Sequence, residues 1–269
     1  MLTLDFTDRI VLVTGGSSGI GRAISHQFAE AGASLIMAAR DPAKGEATHR
    51  EIVERGGRAE FHSVELGDDA AVQTLLHGVR ERYGALHVIV NCAGGGDIKA
   101  GATAASSPLE RWNKISASNL LSAYLVSVHG VELMKPSGGA IVNISSTASM
   151  HGNYGLYSTM KAGLEGLTRS MAFDYAHHHI RVNAIAPGWI KTSGTLPNPE
   201  HPAQAEWERT SASLLGRMGR VDEIASATLF LASPLGGFIT GATLFVDGGL
   251  ALIDATADSW FKAVEKSGL

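Results

Sequence analysis

The chain has one cysteine, Cys92, in 269 residues, so no disulfide can form within it. A lone thiol suits a reducing compartment and reads first as a small core residue. No apolar run approaches the roughly 20 residues needed to span a bilayer. There is also no basic excess: 22 Lys and Arg face 26 Asp and Glu, for a net charge of -4 and a pI of about 6.2. Such a surface has no spare cations to displace counterions from nucleic acid or to hold an anionic membrane, so neither is an expected partner. A strand begins by Ile10, leaving no space before it for a charged start, an apolar stretch and a cleavage site. The closing Lys266-Ser267-Gly268-Leu269 matches a peroxisomal address only loosely. The expected location is the cytoplasm. Finally, no lysine follows the glycine-rich turn at 14–21 where a nucleotide-hydrolysing P-loop needs one.

What is present is a folded composition, 45% apolar and 18% charged, with 32 glycines. One domain spanning 1–269 is expected, because single α/β domains often reach this length. Short apolar runs begin at Ile10, Ser34, Ala59, His87, Ala140, Arg181 and Thr243 and read as strands. Between them lie amphipathic stretches, Gly21 to Ala31, Ala43 to Arg55, Ala70 to Tyr83, Leu109 to Met134, Tyr157 to His177 and Asp222 to Leu231, that read as helices. Alternation of this kind predicts an α/β fold, a doubly wound parallel sheet with helices on both faces. Ligands in such sheets bind beyond the carboxyl ends of the strands, where the glycine turn and the stretches 91–96, 145–149 and 187–192 would fall.

Gly15, Gly19 and Gly21 follow a strand and open a helix, a spacing that lets backbone N–H groups approach a pyrophosphate at the helix N-terminus. Tyr157 and Lys161 lie four residues apart on one helix face. An ammonium near a phenol favours its ionised form, bringing a group that titrates near 10 closer to working pH. Such a phenol can give or take a proton while a nicotinamide moves hydride. At the end of the second strand, Ala38-Ala39-Arg40-Asp41 puts alanine where an NAD-preferring fold presents a carboxylate. Arg40 follows, a guanidinium suited to a 2′-phosphate, so NADP(H) is expected over NAD(H). The alternative leaves Arg40 in solvent with Asp41 as ribose partner.

The ordered set Thr14-Gly15-x-x-x-Gly19-x-Gly21, Asn91-Cys92-Ala93-Gly94, Asn119 with Trp112 upstream, and Tyr157-x-x-x-Lys161 resembles the short-chain dehydrogenase/reductase family. The likeness continues through Ile144-Ser145-Ser146, Arg181-Val182-Asn183, Pro187-Gly188 and Asp247-Gly248-Gly249, nearly the whole chain. It implies a Rossmann-like fold and a nicotinamide-dependent oxidoreductase. It further implies cofactor contacts from Gly15, Ser17, Ser18, Gly19, Ile20, Gly21, Arg40, Glu65, Leu66, Asn91, Ala93, Gly94, Tyr157, Lys161, Pro187, Gly188, Ile190 and Thr192. Glu65 stands where the family more often has aspartate beside adenine. Asn91, Ala93 and Gly94 can equally serve structure alone.

The same resemblance implies four catalytic residues. Tyr157 is the proton donor or acceptor, Lys161 lowers its pKa and holds the nicotinamide ribose, Ser146 orients the substrate oxygen, and Asn119 supports a water relay. Counting back thirteen residues from Tyr157, as relatives usually do, lands on Ile144. Aligning the strand instead selects Ser146, with Ser145 and Ser149 as alternatives and a loop two residues short. Tyr154 is a competing tyrosine, but Ser158 occupies its fourth following position.

The implied substrate is a small carbonyl or alcohol, and the implied assembly is a homodimer or homotetramer. A substrate lid is expected at 193–215, with Pro197, Pro199, Pro202 and Trp207, and an apolar helical tail at 250–269, with Trp260, Phe261 and Val264. Trp189, Met150 and Tyr154 are candidate pocket walls. His177-His178-His179 reads as a solvated helix end, since three consecutive positions point in different directions. NAD-dependent alcohol oxidation, enoyl-thioester reduction and a silent nucleotide-binding protein stay open as other readings.

Overall fold

A computed structural model describes residues 4–95, 107–192 and 213–252 of the chain. Nine strands and seven α-helices are described: β1 Ile10–Thr14, α1 Gly19–Glu30, β2 Ser34–Ala39, α2 Pro42–Glu54, β3 Arg58–Ser63, α3 Asp69–Tyr83, β4 Val88–Asn91, α4 Pro108–Ser116, α5 Ser122–Met134, β5 Gly139–Ile144, α6 Leu156–Tyr175, β6 Ile180–Pro187, β7 Ile190–Lys191, β8 Gly219–Arg220, α7 Val221–Ala232 and β9 Thr243–Val246. Seven strands form one parallel sheet in the order β3-β2-β1-β4-β5-β6-β9, and β7 pairs with β8 apart from it. The expected doubly wound α/β fold is what the chain adopts.

The continuous apolar strands are explained by burial on both faces. In β1, Val11 and Val13 pack with Ile24 and Phe28 of α1 and Ile224 of α7, while Leu12 between them faces Val72 of α3 and Val126 of α5. All three β1 residues are fully buried. Alternate residues thus serve opposite layers, as a period of two requires when neither face is wet. Phe6 closes edge-on against Phe28 at 4.8 Å between ring centroids.

The sheet reverses its winding between β1 and β4, and the chain leaves both strands at the same edge. Thr14 ties the two exits together: its hydroxyl accepts from Cys92 N at 3.0 Å and Ala93 N at 3.1 Å and donates to the Val90 carbonyl at 3.3 Å. One expectation changes. The single helix read over Leu109 to Met134 is helical throughout but not regular, because Ala117–Leu121 winds as a π-helix between α4 and α5. A wider turn of this kind rotates side chains off the regular register, and such turns recur at functional sites. Asn119 lies within it. A buried polar chain crosses the sheet nearby: Asn91 Nδ2 donates to Asn143 Oδ1 at 2.8 Å and to Ser127 Oγ at 2.9 Å, and Asn143 Nδ2 donates to Thr168 Oγ1 at 2.9 Å. No described helix is long and apolar enough to cross a membrane.

Candidate active site

A long cleft opens at the β1/β4 winding reversal, in two lobes of roughly 500 and 590 Å³ that share Gly15, Ser18, Lys44, Ala93 and Gly94. Its floor is the glycine turn. A Cβ at Gly15 would lie 2.9 Å from Ala93, and one at Gly21 would overlap the Gly15 carbonyl oxygen, so only glycine lets this turn close on itself. Gly15 and Gly19 also have φ values of +67° and +51°, which glycine adopts freely. Behind the turn, Thr48 donates to the Ser17 carbonyl at 3.3 Å. α2, α3 and α4 have N-caps from the side chains of Asp41, Asp68 and Ser107, whereas Ser18 makes no side-chain cap on α1. The first N–H groups of α1 therefore face the cleft without a side-chain acceptor, the arrangement that receives a phosphate.

The first lobe is walled by Ala39, Arg40, Asp41, Glu65, Leu66 and Ser122. The second is walled by Ser146, Thr147, Tyr154, Tyr157, Lys161 and the segment from Pro187 to Thr192. A two-lobed cleft with a glycine cradle at its waist and a cation at one end fits a dinucleotide laid across the strand ends.

Tyr157 and Lys161 occupy the first turns of α6, and the Lys161 ammonium lies 5.6 Å from the Tyr157 ring centroid. Lys161 is 5% exposed and donates to the Ile144 carbonyl at 2.9 Å. Burial pushes it down to about 8. Tyr157 runs against the expectation of a lowered phenol: burial pushes it up, and the opposing influence is a hydrogen bond from Ser146, not the lysine charge. The reason is geometric and dielectric. The ammonium faces a backbone carbonyl, and its own burial weakens its hold on the charge.

The three candidate serines have different surroundings. Ser146 lines the cleft and reaches the Tyr157 phenol. Ser145 also lines the cleft but is buried, with its hydroxyl between Glu165 Oε1 at 2.8 Å and the Lys161 carbonyl at 3.3 Å. Ser149 has a buried hydroxyl with no partner and does not line the cleft. The loop after Ser146 folds into two short 3-10 turns, Thr147–Met150 and Gly152–Tyr154, which brings Tyr154 into the cleft beside Tyr157 and leaves Met150 largely exposed.

The family model described as enoyl-(acyl carrier protein) reductase matches residues 15–251. The chain belongs to the short-chain dehydrogenase/reductase family. Among relatives, a 3β-hydroxysteroid dehydrogenase from Mediterraneibacter gnavus is 34% identical over 264 residues, covering 91% of this chain and 95% of its own. The L-sorbose reductase of Gluconobacter frateurii, solved with NADPH and L-sorbose, superposes with a TM-score of 0.86 at 26% identity and covers 94% of this chain and all of its own. A 7α-hydroxysteroid dehydrogenase solved with NADH and 7-oxo glycochenodeoxycholic acid gives a TM-score of 0.81 at 30% identity, covering 92% and 96%.

Within this dehydrogenase/reductase cleft, the cofactor residues expected from sequence line the walls with one exception. Asn91 is 3% exposed, lines neither lobe and belongs to the sheet-crossing polar chain. Asn119 lines neither lobe. Its Oδ1 accepts from Gly95 N at 3.1 Å and its Nδ2 donates to Ile115 O at 3.1 Å and Ser118 Oγ at 2.9 Å, so it pins the loop that carries Gly94. A Cβ at Gly94 would sit 2.7 Å from that same Oδ1, and its φ is +130°. Lys44 is the residue that sequence reading missed: it touches both lobes from the first turn of α2. An Arg-x-x-x-Lys spacing from Arg40 was the available signal. The proposed lid and tail lie outside the described residues, apart from 213–215 and 250–252. His177 and His178 follow α6 in a 3-10 turn that His179 closes at a φ of +57°, and among the described residues no cluster has the makings of a metal site.

Burial of Lys161 carries a stability consequence with a definite sign. Its folded value of about 8 lies below the usual lysine value, so only the unfolded chain holds the extra proton between about pH 8 and 10.4. Stability from this group therefore rises as pH climbs through that window and is lost as pH falls back through it. The difference in unfolding free energy between the native protein and Lys161→Met should grow by on the order of 3 kcal/mol across the window. Urea denaturation at paired pH values measures it, and a flat difference would contradict the burial.

Proposed function

We propose that this enzyme interconverts a ketone or aldehyde and an alcohol, with NADP(H) preferred and Tyr157 as proton donor or acceptor. The observation that carries the reading is the convergence of Ser146, Tyr157 and Lys161 on one lobe of a cleft whose other lobe ends at Arg40. When bound, the nicotinamide supplies or takes the hydride. The chain does the rest. Ser146 and Tyr157 can both hydrogen-bond one substrate oxygen, which fixes its position and drains the negative charge that develops there. A phenol held protonated by burial is ready to release its proton to that oxygen in the reducing direction. In oxidation the same phenol takes the proton back. Lys161 offers a cation at the cleft wall that can bind ribose hydroxyls.

A cofactor-saturated screen of ketones and alcohols, followed by nicotinamide absorbance, tests the activity. Consumption of a carbon-carbon double bond in place of a carbonyl would assign the enoyl-thioester alternative, and nucleotide binding with no turnover on any substrate would assign a silent binder. For the cofactor, Arg40→Ala should lower the NADP-to-NAD efficiency ratio by roughly ten-fold, the scale of one charge-assisted contact. An unchanged ratio refutes the 2′-phosphate role of Arg40.

A further inference from the structure

The cation that would receive a 2′-phosphate is already engaged. Arg40 NH1 lies 3.8 Å from Glu65 Oε2 at the rim of the first lobe, with both side chains more than half exposed. Glu65 is the better anchored partner: its other oxygen, Oε1, accepts from the Gly67 amide at 3.4 Å, which turns Oε2 towards the guanidinium. Arg40 is anchored only through its backbone, where its carbonyl accepts from Ser63 Oγ at 3.2 Å. Next to this pair, Lys44 Nζ lies 3.2 Å from Asp41 Oδ2. Two cations and two carboxylates therefore line the lobe, and their formal charges cancel.

A phosphate and a hydroxyl meet this rim differently. A 2′-phosphate must draw Arg40 from a carboxylate that stays behind as an unpaired negative charge close to the new one. A ribose 2′-hydroxyl makes no such demand and can donate to a carboxylate. An aspartate at 65 would be one methylene shorter and would reach less far toward Arg40. We infer that Glu65 is a specificity-determining residue of this chain: it competes with the 2′-phosphate for Arg40 and so narrows the preference for NADP(H). The inference rests on the NADP-preferring reading only in placing the phosphate at Arg40.

Exposed pairs of this kind interact weakly, by about 0.2–1 kcal/mol, so the effect is a few-fold. Glu65→Gln keeps the shape and an oxygen for Gly67 but removes the charge. Dissociation constants for NADP⁺ and NAD⁺, measured calorimetrically at low ionic strength where screening is least, give the readout without any substrate. The ratio of the NAD⁺ to the NADP⁺ constant should rise about two- to five-fold in Glu65→Gln. In an Arg40→Ala background the same change should move the ratio clearly less, because the competition needs the guanidinium and only the repulsion between carboxylate and phosphate is left. A ratio unmoved by Glu65→Gln, or moved equally without Arg40, overturns the inference. A wild-type protein that prefers NAD⁺ would sink the preference proposed above while the Glu65→Gln shift still decides this one. Failure of the wild type to bind either nucleotide would sink both.

Discussion

Turnover by Tyr157→Phe is expected to fall by about 10²- to 10⁴-fold, the range lost when a positioned general acid is removed. The ring stays, so packing in the first turn of α6 is kept; only the proton and the acceptor for Ser146 disappear. Tyr154 shares the cleft and has a phenol of its own, likewise pushed up by burial. A single Tyr154→Phe control therefore separates the two: its turnover should stay far above that of Tyr157→Phe. Steady-state kinetics, with circular dichroism to confirm the fold, measures both. Near-normal turnover in Tyr157→Phe would remove the proposed mechanism.

Gly21→Ala should cost both cofactor binding and stability. The added Cβ would overlap the Gly15 carbonyl oxygen, which is backbone and cannot swing aside as a side chain would. Relief requires α1 to move away from the end of β1, and overpacking of that kind costs about 1–3 kcal/mol. For a chain of this size each kcal/mol lowers the thermal midpoint by roughly 2–4 °C. The larger loss falls on the dinucleotide, because the displaced N–H groups at the start of α1 are those that would meet the pyrophosphate; at least about ten-fold weaker binding corresponds to one such lost charge-assisted contact. Differential scanning fluorimetry and calorimetric titration report the two effects separately. A variant with native affinity and midpoint would show that the turn has slack the geometry denies.

Much of this was legible from residues alone because it depends on short-range rules. The β1-turn-α1 unit is written in Thr14-Gly15 to Gly21, and the alternation of apolar strands with amphipathic helices suffices for a parallel sheet covered twice. Tyr157 and Lys161 share a helix face by spacing. Where the reading fell short, the missing information was spatial. Leu109 to Met134 carries an unbroken helical pattern, so nothing local marks the π turn that aims Asn119 at Gly95. Asn91 matches a cofactor motif, yet its partners are 36 and 52 residues away, on α5 and β5. Three serines in one short loop have the same chemistry, and only the turn after Ile144 decides which hydroxyl meets the phenol.

Composition and motif order were enough to determine that this chain folds as a dehydrogenase/reductase with a glycine cradle at the head of its first helix, since backbone freedom and hydrophobic periodicity are properties of neighbouring residues. Electrostatics was left to the tertiary structure. The upward shift of Tyr157, the fall of Lys161 to about 8 and the pairing of Arg40 with Glu65 each depend on how deeply a group is buried and what charge stands across from it. Those quantities arise only when strands distant in sequence bring their ends to one edge of the sheet.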